Sequence, residues 1–274
     1  MEVNAFNRKN MKYNIVVLMK QVPDTRCVCR DTLNADGTIN RAALPTIINP
    51  DDLVALEQGL RLKDKYPAST LYVITMGPPK AAQAVKEGLY RGVDGGYVLC
   101  DAQFAGSDTL ATSNVLFAAI KKIGNVDLIL AGQQTLDGDT AHVGQQVACM
   151  LGIPAITAAV NVEVYYHDLL VARQLDESVE KVATQLPALV TMNVAACELR
   201  PCHAKWVMTH KNTPIQQWTA ADMDVDLTKC GLLGSATQVK LTMPIVLQKK
   251  EQTCFTADEM DSLVEMLQDT GVIA

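Results

Sequence analysis

The sequence lacks long apolar runs, clusters of basic residues and Cys-x-x-Cys pairs, and each absence excludes a class of protein. No hydrophobic stretch approaches the roughly 18 residues that a membrane-spanning helix needs, so we expect no membrane insertion. The net charge is −6 and the Lys and Arg residues are scattered, which argues against nucleic acid as a partner. The eight cysteines form no Cys-x-x-Cys pair and no apolar leader opens the chain, so we expect a cytoplasmic location.

Several signatures of enzymes are also missing. The loops G-x-G-x-x-G and G-x-x-x-x-G-K-[ST] do not occur, which argues against a nicotinamide-dehydrogenase fold and against a P-loop enzyme. There is no G-x-S-x-G elbow and no histidine stands in a catalytic frame, so we assign no catalytic residue to this chain. We also expect no metal site, because the residues that could meet at a zinc ion match no usual ligand spacing: Cys197, Cys202, His203 and His210.

What the sequence does contain is an alternation of short β-branched runs with segments of helical period. The runs predict strands over 13–19, 70–76, 96–100, 127–131 and 188–195. The periodic segments predict helices over 50–66, 81–91 and 110–123 and around the apolar stripe from Val143 to Leu151. This alternation indicates an α/β fold with a doubly wound, mainly parallel sheet that is buried on both faces.

Changes in composition suggest how the chain is divided. Residues 1–10 are polar and aperiodic, which predicts a disordered segment or an extension. Residues 11–195 form the α/β domain, with two hairpins predicted as surface ribbons over 32–48 and 161–172. From 196 to 274 Pro and Gly interrupt short apolar pieces, which predicts a C-terminal arm. The arm ends in a predicted helix over 256–268 whose apolar stripe suggests docking on a partner chain.

The turn after the strand at 127–131 is a candidate ligand loop, because open α/β sheets bind ligands beyond the carboxyl ends of their strands. Gly132 would let a ligand approach the backbone, and Gln133 and Gln134 offer donors and acceptors to a base edge. Asp139 or Thr140 would cap the next helix, whose free N–H groups can hold a phosphate.

Two other interpretations of that turn remain open. It could be a capped loop without any ligand. The pair Asp137-x-Asp139 could also hold a divalent ion in a metal-dependent sugar transferase.

A second candidate loop runs from Ala105 to Ser113. It places a glycine and four hydroxyl groups around the start of a helix, where they can satisfy N–H groups locally or surround a diphosphate. Capping alone needs one of these groups, so the excess favours a phosphate site.

Four turns, in order, resemble the electron-transfer flavoprotein beta-subunit family along nearly the whole chain from Met11. The most specific match is the loop 132–139, of the form G-x-Q-x-x-D-x-D, followed by V-G-Q at 143–145. The stretch 17–23 resembles the family's opening strand and K-x-V turn. The segment Asn49-Pro50-Asp51-Asp52 resembles its N-P-x-D helix start, and Met76-Gly77-Pro78 resembles its turn after the second strand.

This resemblance implies a Rossmann-like domain of the adenine nucleotide alpha hydrolase-like type over 11–195, with AMP or FAD bound in these loops. The segment 106–113 is similar to the G-x-D-T-x-A-T-S segment of the family's FAD-binding, electron-bifurcating branch, so we expect FAD, with AMP as the alternative. The candidate cofactor-binding residues are Leu18, Asn49, Pro50, Asp51, Asp52, Met76, Gly77, Asp108, Thr109, Thr112, Ser113, Ala131, Gly132, Gln133, Gln134, Thr135, Asp137, Gly138, Asp139, Thr140, Ala141 and Val143.

The resemblance also implies partners. The chain would form a heterodimer with the family's alpha subunit, onto which the arm would pack, and would pass electrons between NADH or a dehydrogenase and other redox proteins. In the alternative, AMP is structural and the chain only supports the flavin of the alpha subunit. A third alternative is a stand-alone adenine-nucleotide-binding module without redox function.

Overall fold

A computed structural model gives the structure of residues 11–27, 44–238 and 253–273. The chain divides into two compact units, Met1–Lys240 and Leu241–Ala274. The described strands, all in the first unit, are β1 (Asn14–Leu18), β2 (Gln21–Pro23), β3 (Thr46–Ile48), β4 (Thr70–Met76), β5 (Gly95–Leu99), β6 (Leu128–Gly132), β7 (Ala155–Tyr165), β8 (Asp168–Gln174), β9 (Val179–Gln185), β10 (Ala188–Met192) and β11 (Gln216–Trp218). The described helices of that unit are α1 (Pro50–Lys65), α2 (Ala82–Leu89), α3 (Thr109–Ile123), α4 (Val143–Leu151), α5 (Ala204–His210) and α6 (Gly231–Gly234).

Nine of the described strands form one sheet in the order β11-β5-β4-β1-β6-β10-β7-β8-β9. The pairs from β11 to β7 are all parallel, and β8 and β9 continue the sheet antiparallel. β2 and β3 form a separate antiparallel ribbon. The mainly parallel sheet confirms the predicted fold class, and its strand ends differ from the predicted ones by a residue or a few, as is usual for element boundaries.

Helices cover both faces of the sheet. α1 and α2 pack on one face, where Leu56, Leu60 and Val85 join one buried apolar cluster. α3 and α4 pack on the other face, where Val115 and Val147 belong to a second cluster. Because the strands between the two layers are buried on both sides, their sequences are continuous apolar runs. This explains why the strands could be predicted from the sequence.

The helix α1 begins where the sequence predicts it. Pro50 is its first residue, and Asn49 precedes it without making a side-chain cap. Acidic residues lie in its first turn and Lys63 and Lys65 in its last turn, an arrangement that complements the helix dipole. The start of this helix faces the carboxyl ends of β1 and β6, and the side chain of Asn49 is therefore available for other contacts.

The prediction of a surface ribbon over 161–172 is wrong. The hairpin forms, but β7 pairs with β10 and so extends the main sheet, and β9 adds a further strand that was not predicted. Val162, Val164, Leu169 and Val171 are buried in the core cluster under α1. Alternation alone shows that one face of a hairpin is apolar, and it does not show which core covers that face.

The predicted boundary at 195/196 differs from the division of the structure. Residues 196–238 belong to the first compact unit, and β11 pairs with β5 at the edge of the sheet. Arg200 also forms an ion pair with Glu57 of α1, with Nε and Oε2 2.9 Å apart. A role for residues 196–274 as an arm on a partner remains a prediction. The segment 1–10 and most of the hairpin predicted over 32–48 lie outside the described residues.

The second unit contains a helix, α7 (Met260–Asp269), which confirms the helix predicted near the end of the chain. It follows a short 3-10 turn that begins with a capping box between Thr256 and Glu259. Apolar side chains of α7 are exposed, among them Met260, Val264 and Met266. The described part of this unit therefore presents an amphipathic helix to its surroundings.

Candidate functional site

A cavity of about 400 Å³ lies at the carboxyl ends of β1, β4 and β6. The chain runs from β1 outward to β4 and β5, then returns to β6 on the other side of β1, where β10 and β7 lie beyond β6 in the sheet. This reversal is the switch point at which open parallel sheets bind ligands, because the loops on its two sides diverge there.

Most of the candidate cofactor-binding residues line this cavity. They come from five separate parts of the chain, and the fold brings them together. The lining residues among them are Leu18, Asp52, Met76, Asp108, Thr109, Thr112, Ala131, Gly132, Gln133, Gln134, Thr135, Gly138, Thr140, Ala141 and Val143. The remaining candidates do not line it: Asn49, Pro50, Asp51, Gly77, Ser113, Asp137 and Asp139.

Asn49 and Asp51, at the start of α1, hold the loop that follows β6. Asn49 Nδ2 donates to the carbonyl of Gln134 at 2.7 Å, and Asn49 Oδ1 accepts from the amide of Leu136 at 3.3 Å. The amide of Gln134 donates to Asp51 Oδ2 at 3.2 Å. Asn49 and Asp51 therefore shape the loop from outside the cavity.

Asp52 reaches the same loop from a fully enclosed position. Its Oδ1 accepts from the amide of Gly132 at 3.1 Å, and its Oδ2 accepts from the amide of Lys20 at 2.7 Å. Burial raises the pKa of Asp52 to about 7, although these two amides and the side chain of Asn49 lower it. The carboxyl group thus joins the ends of β1 and β6 beside the cavity.

Gly132 has a packing role that was not predicted. A side chain here would place its Cβ 2.3 Å from Asp52 Oδ1 and 2.7 Å from Asp51 Cβ. The absence of a side chain therefore lets the start of α1 approach the end of β6. Gly132 also lines the cavity, so the predicted approach of a ligand to its backbone stays a prediction. Gly144 is similar, because its Cβ would lie 2.9 Å from Thr191 Cγ2 in β10.

The start of α4 has no side-chain cap, which contradicts the prediction that Asp139 or Thr140 caps this helix. The N-cap position is His142, whose side chain makes no capping bond. Ala141 has a φ of 52°, in the left-handed region, and His142 follows with φ −105° and ψ −29°. Such an alternation turns successive N–H groups toward one point and forms a concavity that suits an anion.

The start of α3 is capped by its own side chain. Asp108 Oδ1 accepts from the amide of Ala111 at 3.0 Å, and Asp108 Oδ2 accepts from the amide and hydroxyl of Thr237 at 2.9 and 3.0 Å. Burial raises the pKa of Asp108, but these amides and the hydroxyl outweigh it and hold the pKa below its usual range. This helix start therefore carries a satisfied carboxylate and offers less to a diphosphate than the start of α4.

The hydroxyl groups of the second candidate loop are divided between internal bonds and the cavity. Ser107 Oγ donates to the carbonyl of Phe104 at 2.8 Å and accepts from the amide of Gly231 at 3.1 Å. Ser113 is completely buried and bonds Gln146 of α4 at 2.9 Å. Thr109 and Thr112 line the cavity. The excess of hydroxyls is therefore explained in part by packing between helices.

Asp137 forms an ion pair instead of a metal site. Lys20 Nζ lies 2.8 Å from each of its carboxylate oxygens. Burial raises the pKa of Asp137, but the ammonium group of Lys20 outweighs it and lowers the pKa below the usual range. Across residues 11–27, 44–238 and 253–273, no three His, Cys, Asp or Glu side chains are grouped so that they could hold a metal ion. The hypothesis of a metal-dependent sugar transferase has no support here.

Several cavity residues were not predicted individually. Ile74 lies in β4 two residues before the predicted Met76, so alternation along that strand could have found it. Met19 and Lys20 directly follow β1. The others come from neighbouring helices and turns: Phe104, Gly106, Ser107, Leu116, His142 and Gly144. Phe104 has no local signal, because it lies in a short 3-10 turn and reaches the cavity through the fold.

Comparison with known proteins agrees with this geometry. The model of the electron transfer flavoprotein domain family matches residues 36–223, and many similar proteins are named as beta subunits of such flavoproteins or as FixA. The chain belongs to the electron transfer flavoprotein beta-subunit family. Its function is accordingly electron transfer, and the family association supports a flavin or nucleotide ligand.

Three relatives illustrate the similarity. The electron transfer flavoprotein subunit beta of Clostridium acetobutylicum is 43% identical over 227 residues, which cover 83% of this chain and 86% of the relative. The caffeyl-CoA reductase-Etf complex subunit CarD of Acetobacterium woodii is 41% identical over 225 residues, 82% of this chain and 85% of the relative. Protein FixA of Azorhizobium caulinodans is 40% identical over 235 residues, 83% of each chain.

Within residues 11–27, 44–238 and 253–273, no helix is both long enough and apolar enough to cross a lipid bilayer.

Proposed function

We propose that this chain binds FAD in the cavity at the ends of β1, β4 and β6 and passes electrons as one half of a heterodimer with an electron-transfer flavoprotein alpha subunit. The observation that supports this most directly is the uncapped start of α4, where Ala141, His142, Val143 and Gly144 line the cavity. Free N–H groups at a helix start bind phosphate groups, because they lack partners within the helix.

The other side of the cavity suits an aromatic ring system. Leu18, Ile74, Met76, Phe104 and Leu116 line it, and they come from β1, β4, the turn after β5 and α3. An apolar wall opposite a few directed polar groups is typical of cofactor sites. In this arrangement Ala141 to Gly144 would hold the diphosphate, and Gln133 and Gln134 would lie near the adenosine part.

Bound FAD would supply the uptake and release of electrons, while this chain orients it and shields it from water. The chain would exchange electrons with NADH or a dehydrogenase on one side and with other redox proteins on the other, in the cytoplasm. The name of the Acetobacterium woodii relative connects that protein with a reductase complex. If this chain is of the electron-bifurcating type, we expect the heterodimer to reduce its flavin with NADH.

A second candidate is a conventional subunit in which AMP fills the cavity and supports the flavin of the alpha subunit. One observation favours it: Asp108, in the segment similar to the FAD-binding branch, uses both carboxylate oxygens within the chain. The resemblance of that segment is therefore compatible with a role in packing.

The two candidates predict different nucleotide contents. The chain is co-expressed with its alpha partner, the purified complex is denatured, and the released nucleotides are identified and counted by chromatography. Two FAD per heterodimer would support our proposal, and one FAD with one AMP would support the second candidate. A complex without an adenine nucleotide in this chain, or no complex at all, would contradict both.

A further inference from the structure

Asp52 connects the carboxyl ends of β1 and β6, the two strands on either side of the switch point. It is 5% exposed, and each of its oxygens accepts a backbone N–H from a different strand end. Lys20 follows β1, and Gly132 is the last residue of β6. β1 and β6 are neighbours in the sheet, and the cavity opens where their chains separate.

The contact between Asp52 and β6 leaves no room for adjustment. The amide of Asp52 donates to the carbonyl of Asn49 at 3.1 Å, which fixes the backbone of the first turn of α1. On the opposite side, Gly132 lies so close that a Cβ would come within 2.3 Å of Asp52 Oδ1. The position of the carboxyl group is therefore determined from both directions.

We propose that Asp52 is a positioning residue that sets the separation of the chain ends after β1 and β6, and thereby the width of the nucleotide cavity. The inference rests on the proposed function, because it assumes that an adenine nucleotide occupies this cavity. Asp52 lines the cavity, and each of its oxygens accepts a backbone N–H, so it acts on a ligand through the two chain ends that it holds.

A packing residue and a positioning residue respond differently to Asp52→Asn. The amide side chain has nearly the same shape and one acceptor oxygen, so it can satisfy one of the two N–H groups and turns its own NH₂ toward the other. It also removes a buried charge, which spares the desolvation of an ionised carboxylate. The N–H group that loses its acceptor costs stability and the spared desolvation restores it, so we expect a stability close to that of the wild type, while the cavity loses its shape.

Asp127→Asn provides a matched control. Asp127 Oδ2 accepts from the amide of Asn14 at 2.8 Å, so an aspartate beside β6 also holds β1 there. That bond joins the amino ends of the same two strands. Asn14 is four residues before Leu18 and therefore about 13 Å from it along β1. Neither Asn14 nor Asp127 lines the cavity.

The test uses the heterodimer of the full-length chain, stripped of nucleotide, as wild type, Asp52→Asn and Asp127→Asn. Binding of AMP and of FAD is measured by equilibrium dialysis, thermal unfolding is measured without nucleotide, and amide hydrogen exchange is followed at Lys20 and Gly132. For Asp52→Asn we expect Kd to rise about tenfold or more, which is 1.4 kcal/mol or more. We also expect faster exchange at one or both amides and a Tm close to that of the wild type. Asp127→Asn should keep the wild-type Kd.

Three results would overturn the inference. Wild-type binding by Asp52→Asn would show that the carboxylate does not set the cavity. A weaker Kd with a parallel loss of Tm, or the same weakening in Asp127→Asn, would show a general effect on the fold. If the wild-type heterodimer binds no adenine nucleotide beyond the flavin of the alpha subunit, the proposed function itself fails, and the inference fails with it.

Discussion

Two carboxylates on the same helix show how the partner of a buried charge decides its chemistry. Asp52 and Glu57 both lie in α1 and are 5% and 4% exposed. Burial raises the pKa of each. At Asp52 the main partners are backbone amides and the pKa rises to about 7, whereas at Glu57 the guanidinium of Arg200 outweighs burial and the pKa falls below its usual value. A cationic partner lowers the pKa where neutral donors do not.

The raised pKa of Asp52 predicts a pH dependence of stability. Between the ordinary value of 3.8 and about 7, the folded chain keeps a proton that the unfolded chain releases, so this group destabilises the fold progressively as the pH rises. Asn resembles the protonated carboxyl group. We therefore expect the Tm of Asp52→Asn to exceed that of the wild type by more at pH 8 than at pH 5, measured without nucleotide. The same difference at both pH values would contradict this assignment.

The ion pair of Glu57 and Arg200 predicts that Arg200→Ala destabilises the fold more than Arg61→Ala does. Arg200 binds both oxygens of Glu57 at 2.9 and 3.1 Å, whereas Arg61 binds one oxygen at 3.1 Å and is half exposed. Arg200→Ala should lower the free energy of unfolding by about 2 kcal/mol, because it leaves a buried charge under-compensated. Arg61→Ala should cost about 0.5 kcal/mol or less. Urea unfolding of both variants measures this, and equal losses would argue against the buried pair.

At the scale of elements, the starts of α3 and α4 lie beside the same cavity and differ in their caps. α3 begins with a carboxylate that binds its own backbone, and α4 begins without any side-chain cap. A helix that lacks a cap leaves N–H groups for water or for a ligand. The difference between the two helices is the reason why we propose α4 as the anion-binding helix.

His142 offers a direct test of that assignment. His142→Asp should cap α4 and stabilise the nucleotide-free chain by about 1 kcal/mol, since the side chain accepts orphan N–H groups and its charge suits the helix dipole. The same charge should repel a phosphate and weaken the binding of AMP or FAD by about tenfold or more. His142→Ser adds a cap without the charge and should weaken binding less. If His142→Asp binds nucleotide as well as the wild type does, the phosphate lies elsewhere.

At the scale of the whole molecule, the chain combines the sheet and its cavity with a second compact unit. The first unit contains the sheet, the cavity and residues 196–238. The described part of the second unit contains α7 and exposes Met260, Val264 and Met266. An amphipathic helix with an exposed apolar face is suited to dock on another protein.

Removal of residues 241–274 should separate folding from assembly. We expect the Tm of the shortened chain alone to stay within about 3 °C of the full chain, because a change of 1 kcal/mol moves the Tm of a domain this size by about 2–4 °C. We expect co-purification with the alpha subunit to fall strongly. The measurements are thermal unfolding and pull-down of the tagged partner. An unchanged yield of complex would contradict the proposal that this segment packs on the alpha subunit. A large fall in Tm would show that the second unit is part of the fold.

The candidate site shows which of its features could be predicted from the sequence and which could not. The loop after β6 and the start of α1 were both predicted from their residues and from the family resemblance, and they meet at the cavity. Their individual roles were not predicted. Asn49 and Asp51 hold the loop, Gly132 makes room for Asp52, and Ser113 is buried between helices. Each of these roles depends on a contact with a residue far away in the chain.

The sequence by itself determined the fold class, the positions of most core strands and helices, and the family, because periodicity and ordered turns are local properties that one stretch of chain carries alone. Only the tertiary structure decided the extent of the sheet, the uncapped start of α4 and the direction in which each polar side chain points. Asp52 and Gly132 are 80 residues apart, and their contact exists only once α1 has packed against the end of β6. The same carboxylate would suit a helix cap, a ligand contact or a link between strands, and the packing selects the last.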